Sequence, residues 1–340
     1  MGRYEYAIEH YRQSLQHDDA LAMPIAAVDA LAEVISRSQA TTMQGLIGEL
    51  QEAASELREA SSSPVSLSAG TALLLRFVLL QRPALSISFD EYRQTLVMKA
   101  REFVAGSKTF VDKIALLASE WIVDGSVIMT HSYSRVVMAT LLSAQRARKR
   151  FAVFVTEARP LGAGMKTHAL LAQAKIPCTV LLDSAVAYAM PKVDLVLLGA
   201  EAVCNNGGLL NAIGGLQMAL AAKANDKSVI ALAESYKLAR LFPLSQFDFP
   251  TPFPLLEMPY VDDETAESNL KKVEIPETPS RALLSDPLPA PLTMTESQIM
   301  NNPLLDYCDP SLLQLIISDL GVSTPSGVAD TLHSMFAEGI

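Results

Sequence analysis

Polar residues that could bind or transform a ligand stand directly behind short apolar runs in this chain. Thr130-His131-Ser132-Tyr133-Ser134-Arg135 follows Val127-Ile128-Met129, and Glu157-Ala158-Arg159-Pro160 follows Phe151-Ala152-Val153-Phe154-Val155-Thr156. Asp183 follows a run that begins at Cys178, and Glu201 one that begins at Leu195. Two glycine pairs come next, in Asn205-Asn206-Gly207-Gly208 and Asn211-Ala212-Ile213-Gly214-Gly215. In a doubly wound sheet such positions meet at one rim, far apart in sequence but close in space. The candidate ligand-binding residues are therefore Thr130, His131, Ser132, Tyr133, Ser134, Glu157, Arg159, Asp183, Glu201 and Asn211. A helix starting at Ser134-Arg135 would offer backbone N–H groups to a phosphate, and glycines let a backbone approach an anion closely. Each residue taken alone also reads as an ordinary cap.

Other chemistries have weaker claims. His131 beside Ser132 is not a dyad on adjacency alone, because a triad is defined by geometry. Cys204 lacks a partner base nearby in sequence and reads as a small buried residue. Arg146-x-Arg148-Lys149-Arg150 falls at an expected helix C-terminus, where the dipole favours cations. No catalytic residue, metal ligand or cofactor is assigned.

The elements that must position these residues follow from pattern. Up to residue 124 the apolar spacing is helical. Pro24 opens one helix, Thr41-x-x-Gln44 reads as a capping box before a second, and Ser61-Ser62-Ser63-Pro64 stops it. Further helices are expected at 65–80, 89–104 and 107–123, with Gly125 as the final cap. From residue 125 short apolar runs alternate with helical segments, so strands are expected at 127–130, 151–156, 178–182, 195–198 and 228–233. The expected fold is α/β: an N-terminal helical domain (1–124), then a Rossmann-like doubly wound parallel sheet domain (125–340). Twelve of the prolines lie between Pro243 and Pro310, so an acidic, proline-rich loop, partly disordered, is expected at about 251–302. Order resumes at Leu312-Leu313-Gln314-Leu315-Ile316-Ile317, as helix or strand, before a last helix opened by Thr324-Pro325.

Composition bounds the function. At 340 residues, with 50% hydrophobic residues, the chain has material for about two domains and a sizeable core. Thirty-seven Asp and Glu outnumber 27 Lys and Arg, a net charge of -10, so nothing global draws nucleic acid or anionic lipid. The start lacks a secretory pattern, no apolar run reaches the roughly 18 residues of a span, and three scattered cysteines fit a reducing compartment. A cytoplasmic protein with no membrane and no direct nucleic-acid partner is expected.

Several motifs together carry a resemblance. They are Thr42-Met43-Gln44-Gly45-Leu46, the run from Thr130 to Val137, Val155-Thr156-Glu157 with Arg159-Pro160, and Gly199-Ala200-Glu201. Ala233-Glu234-Ser235-Tyr236-Lys237, Arg240-Leu241-Phe242-Pro243 and Ser318-Asp319-Leu320-Gly321-Val322-Ser323-Thr324-Pro325-Ser326 complete the set. In this order they resemble the alpha-subunit family of eukaryotic translation initiation factor two-B, the guanine-nucleotide exchange factor for the GTPase that carries initiator tRNA. The resemblance implies a non-catalytic regulatory subunit that forms a homodimer through its sheet domain and joins the beta and delta subunits. It also implies sensing of the phosphorylated alpha subunit of that GTPase through the helical domain. Thr42 and Gln44 are the implied partner-binding residues, although Thr41 or Thr42 reads equally well as a helix cap.

The same superfamily includes aldose-phosphate isomerases, which use a cysteine after the first strand and an aspartate in a Gly-Ala-Asp turn. Ser132 and Glu201 stand at those positions here. A serine lacks the readily ionised thiol, and the longer glutamate moves its carboxylate by about 1.5 Å, when about 1 Å can cost a hundredfold in rate. The family's Asn-Lys-Ile-Gly-Thr loop reads Asn211-Ala212-Ile213-Gly214-Gly215, so an expected lysine contact to phosphate is missing. Arg159 and backbone N–H groups remain to hold a sugar phosphate or nucleotide weakly.

Overall fold

The computed structural model describes residues 2–17, 21–61, 64–80, 88–249 and 295–338. Two compact units result: Met1–Pro250 with Leu305–Ile340, and Thr251–Leu304. Residues 251–294 of the expected acidic loop lie outside the described residues.

The larger unit opens with five helices: α1 (Glu5–His17), α2 (Met23–Arg37), α3 (Met43–Glu59), α4 (Pro64–Leu80) and α5 (Phe89–Ser119). Helix α2 is central and buries ten residues, among them Ile25, Val28, Leu31 and Ile35, against the other four. Pro24 sits in its first turn, where the missing N–H costs nothing. Thr42 rather than Thr41 caps α3, its hydroxyl accepting from the Gly45 N–H at 3.2 Å. The two helices expected at 89–104 and 107–123 are one. Ser88 and Glu91 form a full capping box at its start, and the Ser107 hydroxyl, instead of capping a second helix, donates back to the Val104 carbonyl at 2.7 Å. Gly125 caps no helix; it forms a left-handed turn (φ +88°) whose N–H donates to the Arg150 carbonyl.

The rest of this unit runs β1 (Val127–His131), α6 (Arg135–Arg146), β2 (Ala152–Thr156), α7 (Gly164–Gln173), β3 (Cys178–Leu181), α8 (Val186–Ala189), β4 (Leu195–Gly199), β5 (Ala202–Cys204), β6 (Leu209–Ala212), α9 (Gly215–Ala224), β7 (Ser228–Leu232) and β8 (Leu238–Ala239). A short helix, α10 (Glu296–Met300), belongs to the smaller unit; β9 (Leu305–Cys308), β10 (Leu315–Ser318), β11 (Gly321–Ser323) and α11 (Val328–Glu338) return to the larger. The stretch left open as helix or strand is thus β10.

The main sheet has the order β3-β2-β1-β4-β7-β10-β11, parallel throughout except for β11. The order reverses between β1 and β4, the switch point of a doubly wound fold. Side chains alternate between two cores. Ile128, Leu195, Leu197, Ile230 and Ile317 face α6, α7 and the second half of α5, whereas Met129, Val196, Leu198, Val229 and Ile316 face α8, α9 and α11. Burial on both faces explains why these strands are mainly apolar on both sides, with polar residues such as Thr130, Thr156, Ser228 and Ser318 at or near their ends.

A second sheet, β8-β5-β6-β9, was not foreseen. Its strands have two to four residues, too few for a period-2 signal. One cue existed: Asn206-Gly207 between apolar Ala202-Val203-Cys204 and Leu209-Leu210 is a hairpin signature, and β5 and β6 pair across it.

Candidate functional site

The strand-end residues do converge. Thr130 is buried inside β1, and His131 ends that strand with only 4% of its surface exposed. His131 Nε2 donates to the Ile213 carbonyl at 2.8 Å, and the Thr156 hydroxyl lies 2.6 Å from Nδ1. A carbonyl only accepts, so Nε2 carries the proton and Nδ1 accepts from Thr156 when the ring is neutral. Burial pushes the His131 pKa below its ordinary value, outweighing the carbonyl bond and the charge of Asp183.

Ser132 adopts φ +60°, and its carbonyl accepts from the Thr167 hydroxyl at 2.7 Å. Its own hydroxyl has no hydrogen-bond partner among the described residues, and both nitrogens of the adjacent His131 are already engaged. Among the described residues no base is therefore hydrogen-bonded to Ser132. Tyr133 lies under Lys166, whose Nζ is 4.2 Å from the ring centroid. Ser134 caps α6 through a bond from the Val137 N–H, and Gly199 of β4 packs so closely on Ser134 that a Cβ there would collide.

On the next strand, Arg159 donates from Nε to Glu157 at 3.2 Å and keeps 72% of its side chain exposed. Asp183 uses both carboxylate oxygens locally, accepting from the Ala158 and Arg159 N–H groups at 2.9 and 2.8 Å. It fixes the turn that carries Arg159. Thr42 and Gln44 are exposed at the start of α3, among the helices of the first half.

Both glycine pairs are occupied by protein. A Cβ at Gly207 would strike the Pro325 backbone, and one at Gly208 the Tyr307 ring. At Gly214 and Gly215 the neighbours would be His131 and Asn211. The close approach read as room for an anion is thus used for packing.

Two clusters escaped the sequence reading. In the second sheet Asn211 pairs in register with Asp306, and the Glu201 N–H, just before β5, donates to the Leu210 carbonyl. Directly opposed residues share a sheet face, so the Asn211 and Asp306 side chains stand side by side. Asp306 Oδ2 accepts from the Gly214 and Leu216 N–H groups at 2.7 and 2.9 Å and so holds the start of α9. Its Oδ1 and the Asn211 Nδ2 are buried without hydrogen-bond partners among the described residues, and burial pushes the Asp306 carboxyl up to about 6. Asp306 follows no long apolar run, which is why pattern alone missed it.

The second cluster surrounds Glu234, fully buried just beyond β7. Its Oε1 accepts from the Tyr236 hydroxyl at 2.8 Å and from Arg135 at 3.3 Å. Lys237 Nζ forms an ion pair with Oε2 at 3.0 Å and donates to the Ala200 carbonyl at 2.8 Å. Asp319 accepts from the Ser235 N–H and hydroxyl at 2.7 and 2.9 Å. The Tyr236 ring meanwhile packs on Phe110 of α5 and with Ile25 and Leu73 of α2 and α4. The strand-end rule could have found this group, since Glu234 follows an apolar run like the others.

The three cysteines are unpaired, and burial pushes the Cys204 thiol up to about 12, which suits a buried packing residue. Among the described residues no group of three or more His, Cys, Asp or Glu is placed to hold a metal, and no helix is long and apolar enough to cross a membrane.

Comparison with known proteins extends these observations. The chain is 34% identical to the translation initiation factor eIF2B subunit alpha of Dictyostelium discoideum, over 98% of its own length and 97% of that protein's. It is 28% identical to a ribose 1,5-bisphosphate isomerase of Pyrococcus furiosus, over 92% and 87% of the two chains. Among solved structures, a chain of the tetrameric eIF2B-beta2-delta2 complex from Chaetomium thermophilum superposes with a TM-score of 0.67 at 22% identity, covering 96% of this chain and 95% of that one. That chain shares the α/β architecture of helices followed by a mainly parallel sheet. The model of the initiation factor 2 subunit family, IF-2B, matches residues 16–325, so it takes in helices α2 to α10, both sheets and every residue of the strand-end rim. A match of that extent, joined to the doubly wound order and the full-length relatives, makes this chain a member of the initiation factor 2 subunit family.

Proposed function

We propose that the chain is an alpha-type regulatory subunit of the translation initiation guanine-nucleotide exchange factor, acting by binding and not by turnover. The observation that carries this reading is that similarity to an eIF2B alpha subunit spans the helical half as well as the sheet half. In this division of labour residues 1–124 recognise the phosphorylated alpha subunit of the initiation GTPase, with Thr42 and Gln44 on the exposed start of α3 as contacts. Residues 125–340 form the homodimer and join the beta and delta subunits, in the cytosol. The rim gives little support for turnover: among the described residues no base is hydrogen-bonded to Ser132, and Glu201 replaces the shorter aspartate. A sugar phosphate or nucleotide held near Arg159, Glu201 and Asn211 would act as a ligand and not as a substrate.

The test is nucleotide exchange on the GTPase by complexes with and without this chain, using phosphorylated and unphosphorylated substrate. Inhibition by the phosphorylated form is expected only with the chain present; unchanged inhibition without it, at matched complex concentration, rejects the regulatory role. The second reading, a sugar-phosphate isomerase, draws on the similarity to the Pyrococcus furiosus enzyme. Turnover of ribose 1,5-bisphosphate that disappears in Ser132→Ala would favour it.

A further inference from the structure

Parallel strands gather their starts at one end of the sheet just as they gather their ends at the rim. An open groove of about 480 Å³ runs along the N-terminal ends of β1, β4, β7 and β10, a strand's length of roughly 15 Å from the rim. Trp121, just past α5, forms part of its wall. This is the single tryptophan of the chain, and 43% of its surface is exposed. Asp194, just before β4, stands in the same groove. Its Oδ2 accepts from the Val127 N–H at 2.8 Å while its own N–H donates to the Val127 carbonyl, so the carboxylate is held in place. Its Oδ1 has no hydrogen-bond partner among the described residues. Nor have the Ser126 and Ser228 hydroxyls and the Gln314 amide, which line the groove as well.

The charge of the groove is one-sided. No residue that lines it is cationic, and Lys192 and Lys227, close to it in sequence, are not among the lining. The other lining carboxylate, Asp124, is engaged by Arg150 at 2.6 Å, so Asp194 is the charge left for a ligand. An exposed indole together with a fixed carboxylate, one of whose oxygens is free, matches a guanidinium. That group stacks flat on an aromatic face and donates in its plane to carboxylate, hydroxyl and amide oxygens. An ammonium makes the ion pair without the planar stack, and a neutral polyol leaves the carboxylate charge unpaired.

We propose that this groove takes an arginine side chain presented by a partner protein, its guanidinium stacked on Trp121 and donating to Asp194 Oδ1. The site shares no residue with the strand-end rim or with Thr42 and Gln44, so its test is separate from that of the regulatory role.

The probes are three short peptides, acetylated and amidated so that their ends are neutral, with a central arginine, lysine or citrulline between glycines. Because Trp121 is the only tryptophan, its emission on the full chain reports this groove directly. The arginine peptide is expected to shift that emission with saturation in the millimolar range, the lysine peptide to bind at least about threefold more weakly, and the neutral citrulline peptide to bind at least about tenfold more weakly. Asp194→Asn keeps an acceptor for the Val127 N–H and removes the charge, and should weaken the arginine peptide by about tenfold. Trp121→Leu, followed by the broadening of the peptide's own NMR signals, should weaken it as well. Asp330→Asn, which removes an exposed carboxylate outside the groove, should leave binding unchanged. No shift of Trp121 emission up to about 10 mM arginine peptide overturns the site. Equal affinity for arginine and citrulline, or unchanged affinity in Asp194→Asn, overturns the ion pair, and equal affinity for arginine and lysine overturns the stacked guanidinium. An equal loss in Asp330→Asn reduces the binding to overall charge and overturns the site.

Discussion

Replacing Glu234 by glutamine isolates the ionic cluster that ties the sheet rim to the helices. Glutamine keeps the shape and can still accept from the Tyr236 hydroxyl, but it removes the carboxylate that Arg135 and Lys237 share. Glu234 is fully buried, and the side chains of Lys237 and Arg135 are 12% and 21% exposed, so little solvent screens the loss. Removing one partner of a buried pair costs about 3–5 kcal/mol, and the retained tyrosine bond puts the expectation near the lower end, about 3 kcal/mol. At about 2–4 °C per kcal/mol for large domains, the melting temperature should fall by roughly 6–12 °C. The pH dependence supplies a second reading. Burial alone raises the Glu234 pKa, but Lys237 and Arg135 together hold it below the ordinary glutamate value. A carboxyl depressed in the folded state contributes stability that is complete above the unfolded pKa of about 4.3 and is lost as pH falls through the lower folded value. The gap between parent and variant should therefore be constant above about pH 5 and close in stronger acid. Urea unfolding at pH 7 and thermal scans between pH 3 and 7 measure both. A gap below about 1 kcal/mol at pH 7, or one that does not narrow in acid, refutes the reasoning.

Three further outcomes are expected. Asp306 is raised to about 6, so its contribution is present below the unfolded value of about 3.9 and lost as pH rises through about 6, by roughly 2–3 kcal/mol in all; Asp306→Asn should gain stability relative to the parent over that window in urea titrations. The depressed His131 acts with the opposite sign, losing stability as pH falls below about 6.5, so Asp306→Asn should also expose an acid-side decline that the parent masks. Gly207→Ala sets a Cβ at φ +81° against the Pro325 backbone and should cost about 2–4 kcal/mol, seen as a lower urea midpoint with unchanged slope. Thr42→Asp keeps the cap of α3, with stability expected within about 0.5 kcal/mol of the parent, but adds a negative charge; reconstituted exchange complexes should then lose inhibition by the phosphorylated GTPase, and intact inhibition would remove Thr42 from the recognition surface.

The sequence by itself determined the elements whose cause is local or periodic. Helical spacing in the first 124 residues and apolar runs at β1, β2, β3, β4 and β7 follow from chemistry that acts within one turn or one strand. The convergence of His131, Glu157, Asp183 and Glu201 on one rim followed as well, because parallel strands joined by helices leave their C-terminal ends together. Only the tertiary structure decided how those residues are spent. Asp183 is consumed in the turn that carries Arg159 and Ser134 as a cap, His131 is closed off by Thr156 and Ile213, and the glycine pairs are filled by Tyr307, Pro325, His131 and Asn211. Apart from Asn211, four residues before Gly215, those neighbours lie tens to more than a hundred residues away in sequence. The second sheet was hidden for the same reason: β9 completes it from beyond the smaller unit, and Asp306 meets Asn211 only through that pairing. Ser107 shows the limit even locally, since one hydroxyl can cap a helix or donate back into it, and the choice was made by the surfaces α5 covers, Tyr92, Leu96 and Ala100 among the helices and Ile114 and Ala118 on the sheet. A continuous helix buries both, and that gain outweighs the roughly 1 kcal/mol that Gly106 costs inside it.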